Sequence, residues 1–317
     1  MQIMHYMTRT SLAPSRALAR RTSMAHAFLL AFAPNASSAK RANADARATT
    51  TSTTTTSSSR SLASATTKND DATKKDDTAS SVVAIHRVGR GEAHETIAAA
   101  LALARDGDVV VVAPGTYRER VVVETNGITL TFASDARVIH RALKPYEAAI
   151  DIRARDVVVA NANVEHYSKS VADNYAVYVA PGASAVLERV RARSETGSGF
   201  GVDGGKCVMR MCVGSACAQN GCALFGDVDG ARGSGEADLI ECEFENNARD
   251  GVLARGGVNV TIARSVIGNN LGFGCEFIDC AGVVTASAIR RNKRGGVSRT
   301  NGAEYDVDVD DSNVIAN

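Results

Sequence analysis

Along the second half of the chain, small and apolar residues recur two positions apart, and each such pair precedes a glycine-led stretch of similar make-up. Taking Gly199, Gly221, Gly251, Gly272 and Gly295 as openers gives gaps of 22, 30, 21 and 23 residues. The long gap becomes 22 when the polar run 229–236 is set aside as an eight-residue loop insertion. A fixed period near 22 predicts stacked, near-identical units, so the repeat itself defines the fold. One column holds Ala162, Val190, Cys212, Cys242, Ser265, Ser287 and Ser312; two residues on, a second holds Val164, Ala192, Gly214, Phe244, Ile267, Ile289 and Val314. A spacing of two places side chains on one face of a strand, so both columns are expected to point inward. Positions +1 and +3 after the opener give Phe200/Val202, Cys222/Leu224, Val252/Ala254 and Phe273/Cys275, a further expected buried pair. Roughly nine coils rising about 4.8 Å each fit between Val109 and Asn317.

Upstream the period changes. Ile97, Ala100, Leu101 and Ala104 recur at helical spacing and Gly107 supplies a stop, which predicts a helix over about 95–105. Apolar runs at 109–112, 121–123 and 128–132 then predict three short strands. Before Asp45 there is no acidic residue, while Arg9, Arg16, Arg20, Arg21, Lys40 and Arg41 lie among many Ala and Ser. Residues 1–48 therefore read as a targeting peptide for an organelle, plastid or mitochondrion, with a secretory signal as the alternative. The apolar run 25–33 is too short to span a bilayer, so no membrane anchor is expected. Residues 49–81, a Thr/Ser tract and a charged stretch, cannot bury a core and read as a disordered linker ahead of a domain over 82–317.

Charge sharpens this division. Residues 1–80 carry 11 basic and 5 acidic side chains, and the remainder 25 and 30, so the globular part is net −5 and advertises no nucleic-acid partner. All seven cysteines fall between Cys207 and Cys280, an odd number that argues against a complete disulfide framework. Cys207, Cys212, Cys217 and Cys222 are spaced by five, without the close pair usual in zinc and iron–sulfur sites, so they read as buried thiols and no metal site is expected.

A short helix followed by GDVVVVAPGTYRERVVVETNGITL resembles the opening segment of right-handed parallel β-helix proteins, the pectin-lyase-like superfamily. The resemblance spans about residues 90–317. It implies an all-β, right-handed parallel solenoid in which the helix plugs the N-terminal end of the coil. The superfamily's enzyme motifs are not intact. Cys222-Ala223-Leu224-Phe225-Gly226 is similar to the D-F-I-F-G segment of pectin methylesterases but has Cys in the nucleophile's place, and Glu195 falls near their Q-D-T-L acid. The L-G-R-P-W segment is impossible without Trp, and the pectate lyase signatures are missing; of the polygalacturonase motifs only Asp310-Asp311 stands. The coil pattern also resembles carbohydrate-binding and sugar-hydrolase repeats, including those of F-box-type adaptors, whose F-box and zinc-finger modules are lacking here.

Candidate chemistry is weighed against this repeat. Asn246-Asn247, Asn269-Asn270, Asn292 and Asn317, with His166 and Ser194 in the earlier equivalent places, read as a structural asparagine ladder in preference to a polar ligand track. At position +4 stand Asp203, Phe225, Arg255, Glu276 and Arg299; Arg255, Glu276 and Arg299 are candidate ligand-binding residues on one outer face, although their alternating sign predicts cross-strand ion pairing, while Asp203, Asp227 and Asp279 remain usable carboxylates for an acid/base pair or a calcium site. Tyr146, His166 and Tyr167, with His140, Arg141 and Lys144, offer aromatic faces beside cations suited to sugar rings, or equally a loop cover. The expected function is a non-catalytic β-helix scaffold that binds an extended polymer, a polysaccharide or alternatively a protein ligand, on a lateral face. A polysaccharide lyase, uronate epimerase, esterase or hydrolase relative is one alternative; a protein–protein adaptor is another. No cofactor is expected, calcium entering only for a lyase-like enzyme, and an open C-terminal edge suggests a homo-oligomer.

Overall fold

The computed structural model describes residues 82–169, 174–226, 235–302 and 305–316. The expected targeting peptide and linker, Asp227, most of the 229–236 insertion and Asn317 lie outside the described residues. Alternating apolar residues over short runs give strands throughout, and each strand pairs in parallel with its equivalent one coil away. Three sheets result, named here A, B and C in the order the chain visits them. Sheet A has ten strands from Ile85–Val88 to Val307–Val309, sheet B nine from Gly115–Tyr117 to Val314–Ala316, and sheet C eight from Val121–Val123 to Gly295–Thr300. One coil runs Lys206–Arg210, Val213–Ser215, Cys222–Phe225, and about nine such turns form an all-β parallel solenoid.

The interior is filled by predicted inward residues such as Phe200, Phe244 and Leu224 and by residues of sheets A and C that the repeat columns did not include. Phe200, Phe244, Phe277, Leu187, Met209, Leu224 and Leu239 are fully buried, each contributing about 1.5–3 kcal/mol of apolar burial. All seven cysteines are free and buried. Burial pushes the Cys212 and Cys222 thiols well above their usual range, so they pack as small apolar groups.

The A–B corner is a tight turn on one left-handed residue. Arg189 (φ 52°), Met211 (52°), Glu241 (56°), Arg264 (50°) and Ala286 (47°) occupy it on successive coils. The following inward residue then bonds its neighbour: Ser265 Oγ accepts from Cys242 N (3.1 Å), and Ser287 Oγ from Ser265 N (3.1 Å). On the last coil the bonded residue is Asn313, whose Oδ1 accepts from Ser287 N (2.9 Å). Ser312, placed in this column by sequence, is exposed instead, and Ile315 takes the expected place of Val314 opposite Ile289. Ser312 Oγ and N both bond Asp310, which adds one residue to the turn and shifts the register by one.

The glycine column also needs correction. Register pairs Phe200, Cys222, Val252, Cys275 and Val297, so the openers are Gly199, Gly221, Gly251, Gly274 and Gly296, in place of Gly272 and Gly295. The physical reason is close approach. A Cβ on Gly221 would meet Gly251 O at 2.8 Å, and one on Gly251 would meet Gly274 O at 2.7 Å. Phe273 consequently lies outside the core, 4.4 Å beneath the Arg294 guanidinium, while Phe277 is buried in the place expected for Cys275.

The helix near the N-terminus is shorter than predicted, Ile97–Leu101, and buries Ile97, Ala100 and Leu101. Thr96 Oγ1 accepts from Ala99 N (3.1 Å), and the Glu119 carboxylate accepts from Ile97 N (3.0 Å) and Ala98 N (2.9 Å), satisfying the open first turn. Beyond its C-cap Ala102, the Asp108 carboxylate closes the following turn by accepting from Arg105 N (2.8 Å), the bond that most lowers its pKa, just after the left-handed Gly107 (φ 87°). Among the described residues no helix is long and apolar enough to cross a membrane.

Candidate functional site

The B–C corner carries two residues per coil that the sequence treats alike and the fold separates. Asn247, Asn270 and Asn292 point inward and are almost fully buried. Asn270 Oδ1 accepts from Asn247 N (3.0 Å) and Nδ2 (2.9 Å); its own Nδ2 donates to Phe244 O (3.0 Å) and Asn292 Oδ1 (2.9 Å). The residue just before each adopts the left-handed conformation and faces out, Asn246 (φ 60°), Asn269 (56°) and Arg291 (54°), as does Ala216 (52°) before Cys217 in the same slot. Asn is the non-glycine residue best suited to that conformation, which explains its choice without any ligand. Yet the exposed amides line an open cleft of about 520 Å³ together with Arg193, Glu195, Leu271 and small alanines. The cleft offers neutral donors and acceptors one coil apart, one cation, one carboxylate and the 58 % exposed Leu271. Of its residues the sequence offers Glu195 as a catalytic candidate and reads the asparagines as a ladder in preference to a ligand track. The signal for the others was the asparagine doublet itself: one residue of each doublet has no inward slot to fill.

The outer face of sheet C holds the remaining carboxylate candidates. Asp203 Oδ2 accepts from Tyr178 Oη (3.1 Å), and Tyr178 stacks on Tyr175 with ring centroids 5.4 Å apart. Two coils toward the N-terminus from Asp203, Asp151 receives Arg120 (2.7 Å) and Arg153 (2.8 Å), and Arg153 reaches Glu124 (3.2 Å). Asp279 sits at a left-handed turn (φ 47°) with Oδ1 accepting from Gly302 N (2.9 Å). Asp203 and Asp279 are separated by three coil steps, about 14 Å at the strand spacing, too far to act as one acid/base pair. Asp227 is outside the described residues.

The +4 lane is corrected by the same register shift. Asp203, Phe225, Arg255, Ile278 and Thr300 are vertical neighbours, whereas Glu276 stands opposite Leu253 and Ser298, and Arg299 opposite Phe277. The alternating ion-pair lane of Arg255, Glu276 and Arg299 therefore does not exist. Glu276 instead bonds Asp250, a buried residue that sequence reasoning passed over. Burial first, and Asp250 second, push the Glu276 carboxyl above its ordinary range, with Arg294 opposing.

His166 is buried, its Nδ1 on Ser194 Oγ (2.9 Å) and its Nε2 on Glu147 O (2.9 Å), so its ring has no face to offer a ligand. Burial lowers its pKa to about 4, so the imidazole is neutral. Ser194 Oγ also accepts from Gly197 N (2.9 Å). Tyr167 lies 5.4 Å beneath the Arg141 guanidinium, and Tyr146 is exposed in the 143–149 connection with a left-handed backbone (φ 62°). Among the described residues no three His, Cys, Asp or Glu side chains gather closely enough to hold a metal ion.

Residues 148–314, more than half of the chain, match the family described as right handed beta helix region. No curated protein matches the chain by sequence. Among solved structures, pectate lyase Pel9A is 13 % identical, with 75 % of this chain and 79 % of that chain covered and a TM-score of 0.46. Pectin methylesterase PemA from Erwinia chrysanthemi is 13 % identical over 68 % and 80 %, TM-score 0.47. The A-module of mannuronan C-5 epimerase AlgE6 from Azotobacter vinelandii is 12 % identical over 70 % and 94 %, TM-score 0.31.

Proposed function

Because the chain belongs to the right-handed β-helix family, whose coils set side chains at a fixed rise, we propose that it is a non-catalytic scaffold binding an extended polysaccharide in the B–C cleft. The observation that supports this reading is the exposed pair Asn246 and Asn269, open to the cleft between Arg193, Glu195 and Leu271. Amides repeated every ~4.8 Å suit a polymer whose hydroxyls recur ring after ring along the solenoid axis. An apolar side chain beside them suits the less polar face of a sugar ring. The buried asparagines are, in this reading, a ladder that holds the corner rigid. The helix Ile97–Leu101 serves as a plug over the first coil, and residues 1–48 and 49–81 as a removable organellar address and a tether. Full-length protein is to be tested on a polysaccharide panel by calorimetry: Asn246→Ala/Asn269→Ala should weaken binding at least fivefold, and unchanged affinity would defeat the proposal.

A second reading, an enzyme acting on a uronic-acid polymer, is favoured by Glu276 and Asp250. A carboxyl kept above its ordinary pKa beside a second carboxyl suits proton transfer. Calcium would enter only under that reading. Turnover of polyuronates, with and without calcium, that disappears in Glu276→Gln would replace the scaffold reading with this one.

A further inference from the structure

At its C-terminal end the B–C corner changes character. Arg290, Arg291, Lys293 and Arg294 all fall on one coil and all are exposed. Arg249 is exposed two coil steps below Arg294, linked through Gly272. Several cations elsewhere on the outer surface are paired with acids, Arg120 with Asp151, Arg137 with Glu165, Lys206 with Glu236 and Arg264 with Glu241. Among the described residues none of the five corner cations makes an ion pair. The acids facing them are few. Glu245 passes over Gly268 beside the Arg290 side chain, Glu276 acts on Arg294 from the next strand while bonded to Asp250, and Glu195 lies at the far end of the cleft. Arg294 is fixed over the Phe273 ring at 4.4 Å, which leaves its charge aimed outward at little further ordering cost. This stands out in a body whose net charge over residues 81–317 is −5.

We infer that this corner is an anion-binding extension of the cleft and that its ligand is a polysaccharide bearing sulfate esters. The inference rests on the proposed polymer-binding cleft and adds the ligand's charge class and its direction of lie. The reason is charge density. Four cations project from one coil, which occupies about 4.8 Å of axis, close to the length of one sugar ring. A polyuronate presents a single carboxylate per ring, whereas a sulfated chain can present more than one anionic group there. Guanidinium forks also match sulfate oxygens in pairs. The uncharged amides of Asn246 and Asn269 then hold less charged rings, and the charged block lies toward the last coil.

The test uses full-length protein with dextran sulfate, polygalacturonate of equal length and single-stranded DNA, in 0.15 M salt. Dextran sulfate should bind at least tenfold tighter than either of the others. R290A/R291A/K293A should weaken it on the order of tenfold, and the slope of log affinity against log salt should fall by roughly two, as expected for three released counterions. The distal triple R87A/R90A/R105A should change neither quantity. Equal binding of polygalacturonate or of DNA, or a corner variant that binds dextran sulfate as tightly as the parent, would overturn the inference. Unchanged urea midpoints for both triples show that binding, not folding, is being read. Dextran sulfate binding that is lost in the corner triple but intact in Asn246→Ala/Asn269→Ala sinks the cleft alone; the reverse pattern sinks the corner alone.

Discussion

The B–C corner fills one interior slot differently at its two ends, with the buried Cys217 standing between them. In the lower coils the slot holds His166 and Ser194, tied to each other at 2.9 Å and to the chain at Glu147 O and Gly197 N. In the upper coils it holds Asn247, Asn270 and Asn292, each bonded to the next. The neighbouring lane changes too, turning to glycine at Gly199 beside Cys217, one coil before the amides begin. Where His166 and Ser194 stand, the strand below the slot carries Ala149 and Ala176; where the amides stand, it carries Gly221, Gly251 and Gly274. A Cβ at each of those three glycines would come within 2.8 Å of an asparagine Nδ2. The amide stack therefore requires the glycine column, and the two features that look separate in the sequence are one packing unit. Irregular connections such as 143–149 break the regular rise, so a longer ring takes the slot there and bonds a loop carbonyl.

The largest effect expected from that comparison is at Asn270. Asn270→Leu removes the side-chain partners of Asn247 N and Phe244 O and one of the two partners of Asn247 Nδ2, and the loss should be about 4 kcal/mol, measured by urea unfolding. The same measurement on Asn269→Ala, one residue earlier, should show less than about 1 kcal/mol because that side chain faces water.

In the lower region the response should depend on pH. His166 has a folded pKa of about 4 against an ordinary 6.5. The unfolded chain thus binds the extra proton first, and stability falls as pH drops from 6.5 toward 4, by roughly 3 kcal/mol in total. Above pH 6.5 His166 adds no slope. His166→Asn should flatten the urea midpoint over that window; an unaltered slope would show that another group drives it. The same substitution sets an amide beside the Cβ of Ala149 and so tests whether the lower slot rejects one where no glycine stands.

Gly251→Ala should cost about 2 kcal/mol or more, since its Cβ would meet Ile267 Cγ2 at 2.3 Å and Gly274 O at 2.7 Å. Combined with Asn270→Ala, the two losses should fall short of additivity, because removing the amide relieves part of the glycine's constraint.

Much of the solenoid was legible because its inward columns repeat. Cys212, Cys242, Ser265 and Ser287 were placed by spacing alone, and all are buried. Errors arose where two residues of one kind lie close together. In Gly272-Phe273-Gly274 and Gly295-Gly296 the wrong glycine was chosen, and the error passed on to Phe273 and to the Arg255, Glu276 and Arg299 lane. Asn246 and Asn247 were read as one ladder for the same reason. Glu119 capping the helix, and Asp250 meeting Glu276, join residues more than twenty positions apart, for which spacing gives no sign.

The amino-acid sequence alone determined that this chain coils: a period near 22 and inward pairs two apart admit no other economical burial of its apolar residues. Only the tertiary structure decided which member of each doublet turns in, which carboxyls meet and where a cleft opens. The physical reason is that the period is set by burial, common to every coil, whereas an outward side chain is constrained only by its neighbours on the coils above and below. Those neighbours are fixed by a register that a single inserted residue can shift.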